Sequence, residues 1–294
     1  MTHSAKDFLA GCAGGMAQVL IGQPFDIVKV RLQAASKGLY HNAFDCFKKI
    51  IMNEGGPFAL WKGSLPPLLG VGASVSIQFG VNEKTKRLAR KMTGLSELRV
   101  AHLFSCGFVA GLANSLVSIP VEHTRIRMQI QGDKSVSTTL YVKSLVKAHG
   151  ITGLYKGGIP TLWRESIAMG IYFSMYEWIK SHILQTREIK GNLSAFEVAI
   201  AGGLAGITLW FATFPIDIIK TKIQTDNLQN PIYKGMCDCF MKTFKVEGLR
   251  GFYKGLSPCL LRAVPANSVT FIVYETASKM LTAKSESLRK FSCL

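Results

Sequence analysis

The sequence predicts an all-α membrane protein with six transmembrane helices in three pseudo-threefold repeats, each of which also contains a short amphipathic helix. Three observations support this fold class. The chain of 294 residues contains a repeat of about a hundred residues, it has six apolar segments long enough to span a bilayer, and it combines 48% apolar residues with a net charge of +17. That combination is unusual for a soluble enzyme, but a membrane protein can place its charges in loops and around an interior cavity.

One motif occurs three times and defines the repeats. A proline is followed by an acid two residues later, by a base three residues after the acid, and by a glutamine four residues after the base. The prolines are Pro24, Pro120 and Pro215, so we predict one domain made of the repeats 1–97, 98–193 and 194–294. The acid, base and glutamine are Asp26, Lys29 and Gln33, then Glu122, Arg125 and Gln129, then Asp217, Lys220 and Gln224.

The first helix of each repeat is predicted from a glycine-rich apolar segment, at 8–24, 101–120 and 197–215. Each segment contains a GxxxG pair, which lets a neighbouring backbone approach closely. Each ends at the motif proline, where a helix loses one backbone hydrogen bond and bends. Bending would bring the three motifs together at one side of the membrane. Alternatively, the prolines simply terminate the helices.

A polar segment follows the motif and contains a short amphipathic helix, for example at 43–53. An aromatic-Lys-Gly turn comes next, and a second apolar segment begins after it, at 65–81, 159–176 and 257–274. Each of the six apolar segments has 17–20 residues, close to the length that crosses the hydrocarbon core.

Arg164, Glu165 and Arg262 lie inside otherwise apolar segments. Burial of an unpaired ion costs several kcal/mol, so charges at membrane depth are candidates for a binding site. The alternative is a structural ion pair between Glu165 and one of the two arginines.

Several function classes find no support in the sequence. The seven cysteines and six histidines show no metal-binding spacing, no glycine-rich loop follows a predicted strand, and no nucleophile accompanies a histidine. We therefore predict no cofactor, no metal and no enzymatic activity. The basic residues are spread over all three repeats, which favours anionic lipid over nucleic acid as a partner.

The triplicated motif, Pro-x-Asp/Glu-x-x-Lys/Arg-x-Lys/Arg-x-Gln with aromatic-Lys-Gly after it, resembles that of the mitochondrial carrier family over essentially the whole chain. The resemblance implies a multi-pass protein of the mitochondrial inner membrane, with six tilted helices around a cavity, short helices on the matrix side, and transport by alternating access.

The resemblance also implies two gates. The matrix gate would pair Asp26 with Arg125, Glu122 with Lys220, and Asp217 with Lys29, with the three motif glutamines bracing the pairs. The cytoplasmic gate has the form aromatic-acid-x-x-base on the second helix of each repeat. Its predicted residues are Glu83 and Lys86, then Tyr176, Glu177 and Lys180, then Tyr274 and Glu275. The third copy has Ser278 in place of the base, so we predict a missing or distorted ion pair and a weaker cytoplasmic gate.

Lipid sites are implied at the start of the second helices, where free backbone N–H groups attract anions. Resemblance implies cardiolipin phosphates there, although surface lysines at turns would show the same pattern. The residues are Lys62 and Gly63, Lys156 and Gly157, and Lys254 and Gly255.

Three contact points of the family align with Gly70-Val71-Ser74, Arg164-Glu165-Ala168 and Arg262-Ala263-Ala266. Arg-Glu at the second point resembles the amino-acid and carnitine branch. We predict a substrate site formed by Arg164, Glu165, Arg262, Ala168 and Ser74, in which an arginine binds a carboxylate and Glu165 faces an ammonium. The predicted function is exchange of zwitterions, either carnitine and acylcarnitines or amino acids. The alternative is a carrier-fold subunit docked on a larger membrane complex, with little or no transport.

Overall fold

The structure, a computed structural model, describes residues 3–35, 39–95, 98–130, 137–186, 195–227 and 230–292, with side chains omitted at 3–8, 186, 195–196, 199, 264, 271, 275, 279 and 281–292. The described residues are mostly helical and contain no strand. The long helices are α1 (His3–Ala34), α3 (Leu65–Thr93), α4 (Val100–Ile130), α6 (Gly158–Thr186), α7 (Ala195–Thr225) and α9 (Leu256–Ser292), and the short ones are α2 (Ala43–Asn53), α5 (Thr138–His149) and α8 (Met236–Gly251).

The six long helices match the predicted all-α membrane fold. Each has at least 29 residues, more than the roughly 20 that cross a bilayer core. Within the described residues, four helical segments are both long and apolar enough to span a membrane, judged by length and composition. They are Pro57–Thr93, Val100–Ile130, Ile200–Thr225 and Leu256–Ser278.

The motif prolines lie inside α1, α4 and α7 and do not terminate them. Each of these three helices continues for ten residues beyond its proline, so the acid, base and glutamine of the motif are all helical. The continued segments contact one another. We call this end of the molecule the motif end.

A proline leaves the carbonyl group four residues before it without its helical donor. In the first repeat, the indole Nε1 of Trp61 donates to the freed carbonyl of Leu20 at 2.9 Å. In the second, the hydroxyl of Tyr155 donates to the freed carbonyl of Leu116 at 3.2 Å. The aromatic residue of the aromatic-Lys-Gly turn therefore satisfies the group that the proline exposes. In the third repeat, Tyr253 instead stacks on the Phe214 ring, with 6.3 Å between centroids.

The short helices cover the motif end from outside. Asn42 caps α2 by accepting a hydrogen bond from the Asp45 backbone N–H at 2.8 Å. Cys46 and Ile50 of α2 are buried in one apolar cluster with Ile27 and Leu32 of α1. In the third repeat, Cys239 of α8 packs in the same way on Ile219 and Ile223 of α7. In these two repeats the packing buries part of the apolar surface of the amphipathic helix.

The GxxxG pairs differ between repeats. In the second repeat, Gly107 and Gly111 bring α4 against the α6 backbone: an added Cβ would lie 2.5 Å from the carbonyl oxygens of Met169 and Glu165, respectively. An added Cβ at Gly11 or Gly206 would meet no described atom within 4 Å. Close backbone packing through this motif is therefore seen in the second repeat and not at those two positions.

Substitution of Tyr155 by Phe tests the bond to the freed carbonyl. We expect Tyr155→Phe to lower the free energy of unfolding by about 1 kcal/mol, because the Leu116 carbonyl loses a donor. The change should appear as a lower melting temperature of the purified protein in detergent. Tyr253→Phe is the matched control, since that tyrosine stacks on Phe214. Equal losses in the two variants would contradict the assignment.

Candidate functional site

Three ion pairs between repeats close the motif end. Asp26 pairs with Arg125 at 2.6 Å and Asp217 with Lys29 at 2.6 Å, and Glu122 accepts a hydrogen bond from Lys220. Each pair joins two different helices among α1, α4 and α7, and these are the acid and base partners expected from the resemblance. That the pairs open and close as a gate remains a prediction.

Of the three motif glutamines, one braces an ion pair as predicted and the other two do not. Gln33 does, because its amide donates to Asp217 at 3.2 Å. Gln224 instead donates to the hydroxyl of Thr161 at 3.1 Å, since the first turn of α6 lies against it. Gln129 is fully buried, and neither of its side-chain polar atoms has a hydrogen-bond partner.

Gln23, which is not a motif glutamine, braces one of the pairs instead. Its amide oxygen accepts from Arg125 at 2.7 Å, and its amide nitrogen donates to the Lys62 carbonyl at 2.6 Å. Gln23 thus braces the pair between Asp26 and Arg125 and ties it to the aromatic-Lys-Gly turn. Sequence analysis overlooked it because the equivalent residues, Ile119 and Phe214, are apolar. A glutamine inside a largely apolar segment, directly before the proline, was the available signal.

A cavity of about 240 Å³, which we call the inner cavity, is lined by the ion pairs. Its walls include the six paired side chains, Arg164, Arg262 and the ring of Trp210. The Lys29 ammonium lies 4.5 Å from the centroid of that ring, a cation–π contact that holds it beside Asp217.

Both predicted substrate arginines contact carboxylates of the motif end. Arg164 donates to Glu122 at 2.9 Å and lies 3.7 Å from Asp217. Arg262 donates to Asp26 at 3.3 Å. The Nε groups of both guanidiniums are buried without a hydrogen-bond acceptor. Each arginine therefore lines the cavity and contacts a carboxylate of an ion pair, while its Nε–H group has no hydrogen-bond acceptor.

The other predicted substrate residues lie elsewhere. Glu165 is 5% exposed, donors from Arg164 and Asn114 occupy its carboxylate, and it does not line the inner cavity. This is the structural pair that the sequence left open as an alternative. Ala168 is buried and Ser74 is half-buried, and neither lines the inner cavity. Asn114, which donates to Glu165 at 2.9 Å, was not anticipated.

The charges around the inner cavity do not balance. Three carboxylates and five cations line it, and the three acids are matched by the three motif bases. Glu165, behind the wall, offsets the charge of Arg164. Arg262 shares Asp26 with Arg125 and remains in excess. An excess cation in a narrow, partly desolvated cavity favours an anionic group.

A second cavity, the outer cavity, has a volume of about 560 Å³ and lies between α3, α6 and α7 at the end opposite the motif end. Lys86 pairs with Glu177 across two repeats at 2.9 Å. Glu83 pairs with Arg87 of its own helix, and Lys180 lies 3.8 Å from Glu177. The structure thus has one ion pair between repeats here among the described side chains. The side chain of Glu275 lies outside the described residues, and Tyr274 is exposed.

The Lys-Gly turns are built into contacts between repeats. Lys156 donates to the carbonyls of Asp226 and Asn227, and Lys254 donates to the carbonyl of Ala35. These carbonyls follow the ends of α7 and α1, where helices lack intrahelical donors. Lys62 lies 3.5 Å from Glu54. Cardiolipin binding at these turns remains a prediction.

The glycines of these turns have left-handed backbones, with φ of 78° at Gly63, 73° at Gly157 and 86° at Gly255. A Cβ at Gly157 would lie 2.6 Å from the Gln224 side chain, so both the backbone angle and the space require glycine there. Within the described residues, no group of three His, Cys, Asp or Glu side chains could hold a metal ion.

Gln23 and Gln129 allow a paired test of the brace. Methionine has a similar volume to glutamine but makes neither hydrogen bond. Gln23→Met should therefore lower the free energy of unfolding by about 1–3 kcal/mol. Gln129→Met should be neutral or stabilising, because it removes two buried polar atoms without partners. Melting curves of the purified variants measure both. A larger loss in Gln129→Met would reverse our assignment of the brace.

Comparison with known proteins identifies the family. The family model described as "Mitochondrial carrier protein" matches residues 2–93, 96–187 and 191–285. The "Glutamate/glycine mitochondrial carrier ymc1" of Schizosaccharomyces pombe is 44% identical, with 95% of each chain covered. The "Mitochondrial glycine transporter YMC1" of Saccharomyces cerevisiae is 40% identical, over 94% of this chain and 91% of that protein. The "Mitochondrial basic amino acids transporter" of Mus musculus is 37% identical, over 91% and 87%. The chain therefore belongs to the mitochondrial carrier family, whose members are multi-pass transporters of the inner membrane and not enzymes.

Proposed function

We propose that this carrier exchanges small amino acids across the inner membrane and binds their α-carboxylate at Arg262. The observation that supports this best is the excess guanidinium in the inner cavity, with a buried Nε that has no acceptor. A carboxylate supplies both the charge and the acceptor that this group lacks. Relatives named for glutamate and glycine support the same substrate class.

The inner cavity favours a small substrate without an extra positive charge. Its volume of about 240 Å³ is below the roughly 300–1,000 Å³ of pockets that hold drug-sized ligands, which fits a small amino acid. The carboxylate that could neutralise a basic side chain, Glu165, is already occupied by Arg164 and Asn114. We therefore propose glycine or glutamate rather than a dibasic amino acid as the transported species.

Substrate binding would act directly on the predicted matrix gate. Arg262 and Arg125 both contact Oδ2 of Asp26, at 3.3 and 2.6 Å. A substrate carboxylate that binds the Arg262 guanidinium would break the contact between Arg262 and Asp26. Asp26 would then pair with Arg125 only. The ion-pair network loses one of its cross-links at that moment, which provides a physical route from an occupied site to an opening gate.

Carnitine is a second candidate because it also has one carboxylate and one fixed positive charge. The relatives quoted above are named for amino acids. A panel of glycine, glutamate, arginine, carnitine and acylcarnitines in proteoliposomes separates the two substrate classes. The same panel tests the scaffold alternative, because a subunit kept only for assembly would exchange none of these solutes.

We expect Arg262→Ala to abolish exchange of glycine and glutamate, because the cavity loses its excess cation, and Arg262→Lys to retain part of it. Initial uptake rates into preloaded proteoliposomes provide the measurement. Arg90→Ala, which removes an exposed arginine at the far end of α3, is the control and should transport normally. Normal uptake by Arg262→Ala would place the carboxylate site elsewhere.

Substitution of Glu165 by Gln should change the substrate preference. Arg164 loses one of its anionic partners and keeps its contact with Glu122, so the net charge around the inner cavity becomes more positive. We expect the ratio of glutamate to glycine uptake to rise about tenfold, which corresponds to about 1.4 kcal/mol of added carboxylate binding. Glu247→Gln removes the same charge from a pair with Lys222 outside the cavity and should leave the ratio unchanged. An unchanged ratio in Glu165→Gln would refute this account of Arg164.

A further inference from the structure

We propose that the outer cavity is a binding site for organic cations, namely ammonium or guanidinium groups, and that Lys86 occupies it as a competitor tethered to the chain. This site is separate from the carboxylate site at Arg262. It lies among Asn82 and Lys86 of α3 and Phe173, Tyr176 and Glu177 of α6.

Aromatic rings form much of the wall. Phe173 meets Phe79 edge-on, with 5.8 Å between centroids, and it meets Tyr172 edge-on at 5.6 Å. Tyr172 and Tyr176 stack at 6.3 Å with an interplanar angle of 14°. These contacts fix the rings as a continuous surface. The face of an aromatic ring attracts a cation, and several rings around one position strengthen the effect.

Two kinds of acceptor complete the site. The Glu177 carboxylate lines the cavity and is partly buried, with 30% of its side chain exposed. Asn82 also lines the cavity, is 5% exposed, and its Oδ1 has no hydrogen-bond partner. A buried acceptor without a donor is unfavourable, and the N–H group of a bound cation would satisfy it. A carboxylate, an amide oxygen and aromatic faces together suit an alkylammonium or a guanidinium.

Lys86 shows what the site binds. Its ammonium lies 2.9 Å from Glu177 and 5.9 Å from the centroid of the Phe173 ring, and the residue is 8% exposed. An ammonium of the chain itself therefore already makes the ion pair and the cation–π contact. A free cation would have to displace it, so the native site should bind such ligands weakly.

The other cations near the wall leave Glu177 available once Lys86 is removed. Lys180 lies 3.8 Å from Glu177 and is more than 40% exposed, so its attraction is screened by solvent. Arg87 is engaged by Glu83 at 3.0 Å. Removal of the Lys86 ammonium should thus free the carboxylate and the ring face together.

The test uses agmatine, the decarboxylated form of arginine, because it has a guanidinium and an ammonium but no carboxylate for Arg262. Inhibition of glycine uptake by external agmatine is measured in proteoliposomes containing wild-type protein, Lys86→Met or Lys84→Met. Lys84 is exposed on the same helix, so its replacement changes the net charge equally and serves as the control. Binding of agmatine to the purified variants is measured in parallel by thermal shift, which does not require transport.

We expect Lys86→Met to lower the half-inhibitory concentration of agmatine about tenfold relative to wild type, in line with the loss of an internal competitor, and Lys84→Met to leave it unchanged. Adding Glu177→Gln or Phe173→Leu to Lys86→Met should remove the gain. An equal response of Lys86→Met and Lys84→Met, or a gain that survives Glu177→Gln, would overturn the proposal. Absence of glycine exchange in the wild type would refute the proposed function instead, while the thermal shifts would still report on the cation site.

Discussion

The need to pair charged side chains inside a membrane protein governs this structure. Three carboxylates and five cations surround the inner cavity, where they are largely shielded from bulk water. The arrangement that satisfies most of them is a ring in which each acid of the motif meets a base from another repeat. The ring in turn requires α1, α4 and α7 to meet at one point. The interior prolines, the left-handed glycines and the short covering helices all serve that convergence.

The aromatic-Lys-Gly turn links the repeats at several levels. In the first two repeats its aromatic residue satisfies the carbonyl freed by the proline of the same repeat, as Tyr155 does for Leu116. Its lysine donates to the end of a proline-bearing helix in another repeat, as Lys254 does to Ala35. Its glycine leaves room for a motif glutamine. A short turn thus connects the proline of one repeat to the helix end of another.

The second repeat differs from the others in ways that define the proposed site. It has the close backbone contact between α4 and α6, and the same interface contains Glu165, held by Arg164 and Asn114. This pairing removes Glu165 from the cavity and leaves Arg262, from the third repeat, as the cation in excess. The ring of ion pairs therefore follows the pseudo-threefold symmetry of the repeats. The excess cation in the cavity comes from residues that differ between the repeats.

The sequence alone determined the repeat, the six long helices and the two arginines inside apolar segments, whereas the partners of each acid and base were implied by the resemblance to the mitochondrial carrier family. The repeat and its motif follow from spacing along the chain, because a fixed offset on a helix fixes the face on which a side chain lies. Only the tertiary structure decided which buried polar groups find partners. Gln23 braces Arg125 while Gln129 has no partner, Glu165 turns to Asn114, and Lys86 fills an aromatic cavity, because hydrogen bonds between helices depend on separations of tenths of an ångström that helix packing sets and that sequence spacing does not encode.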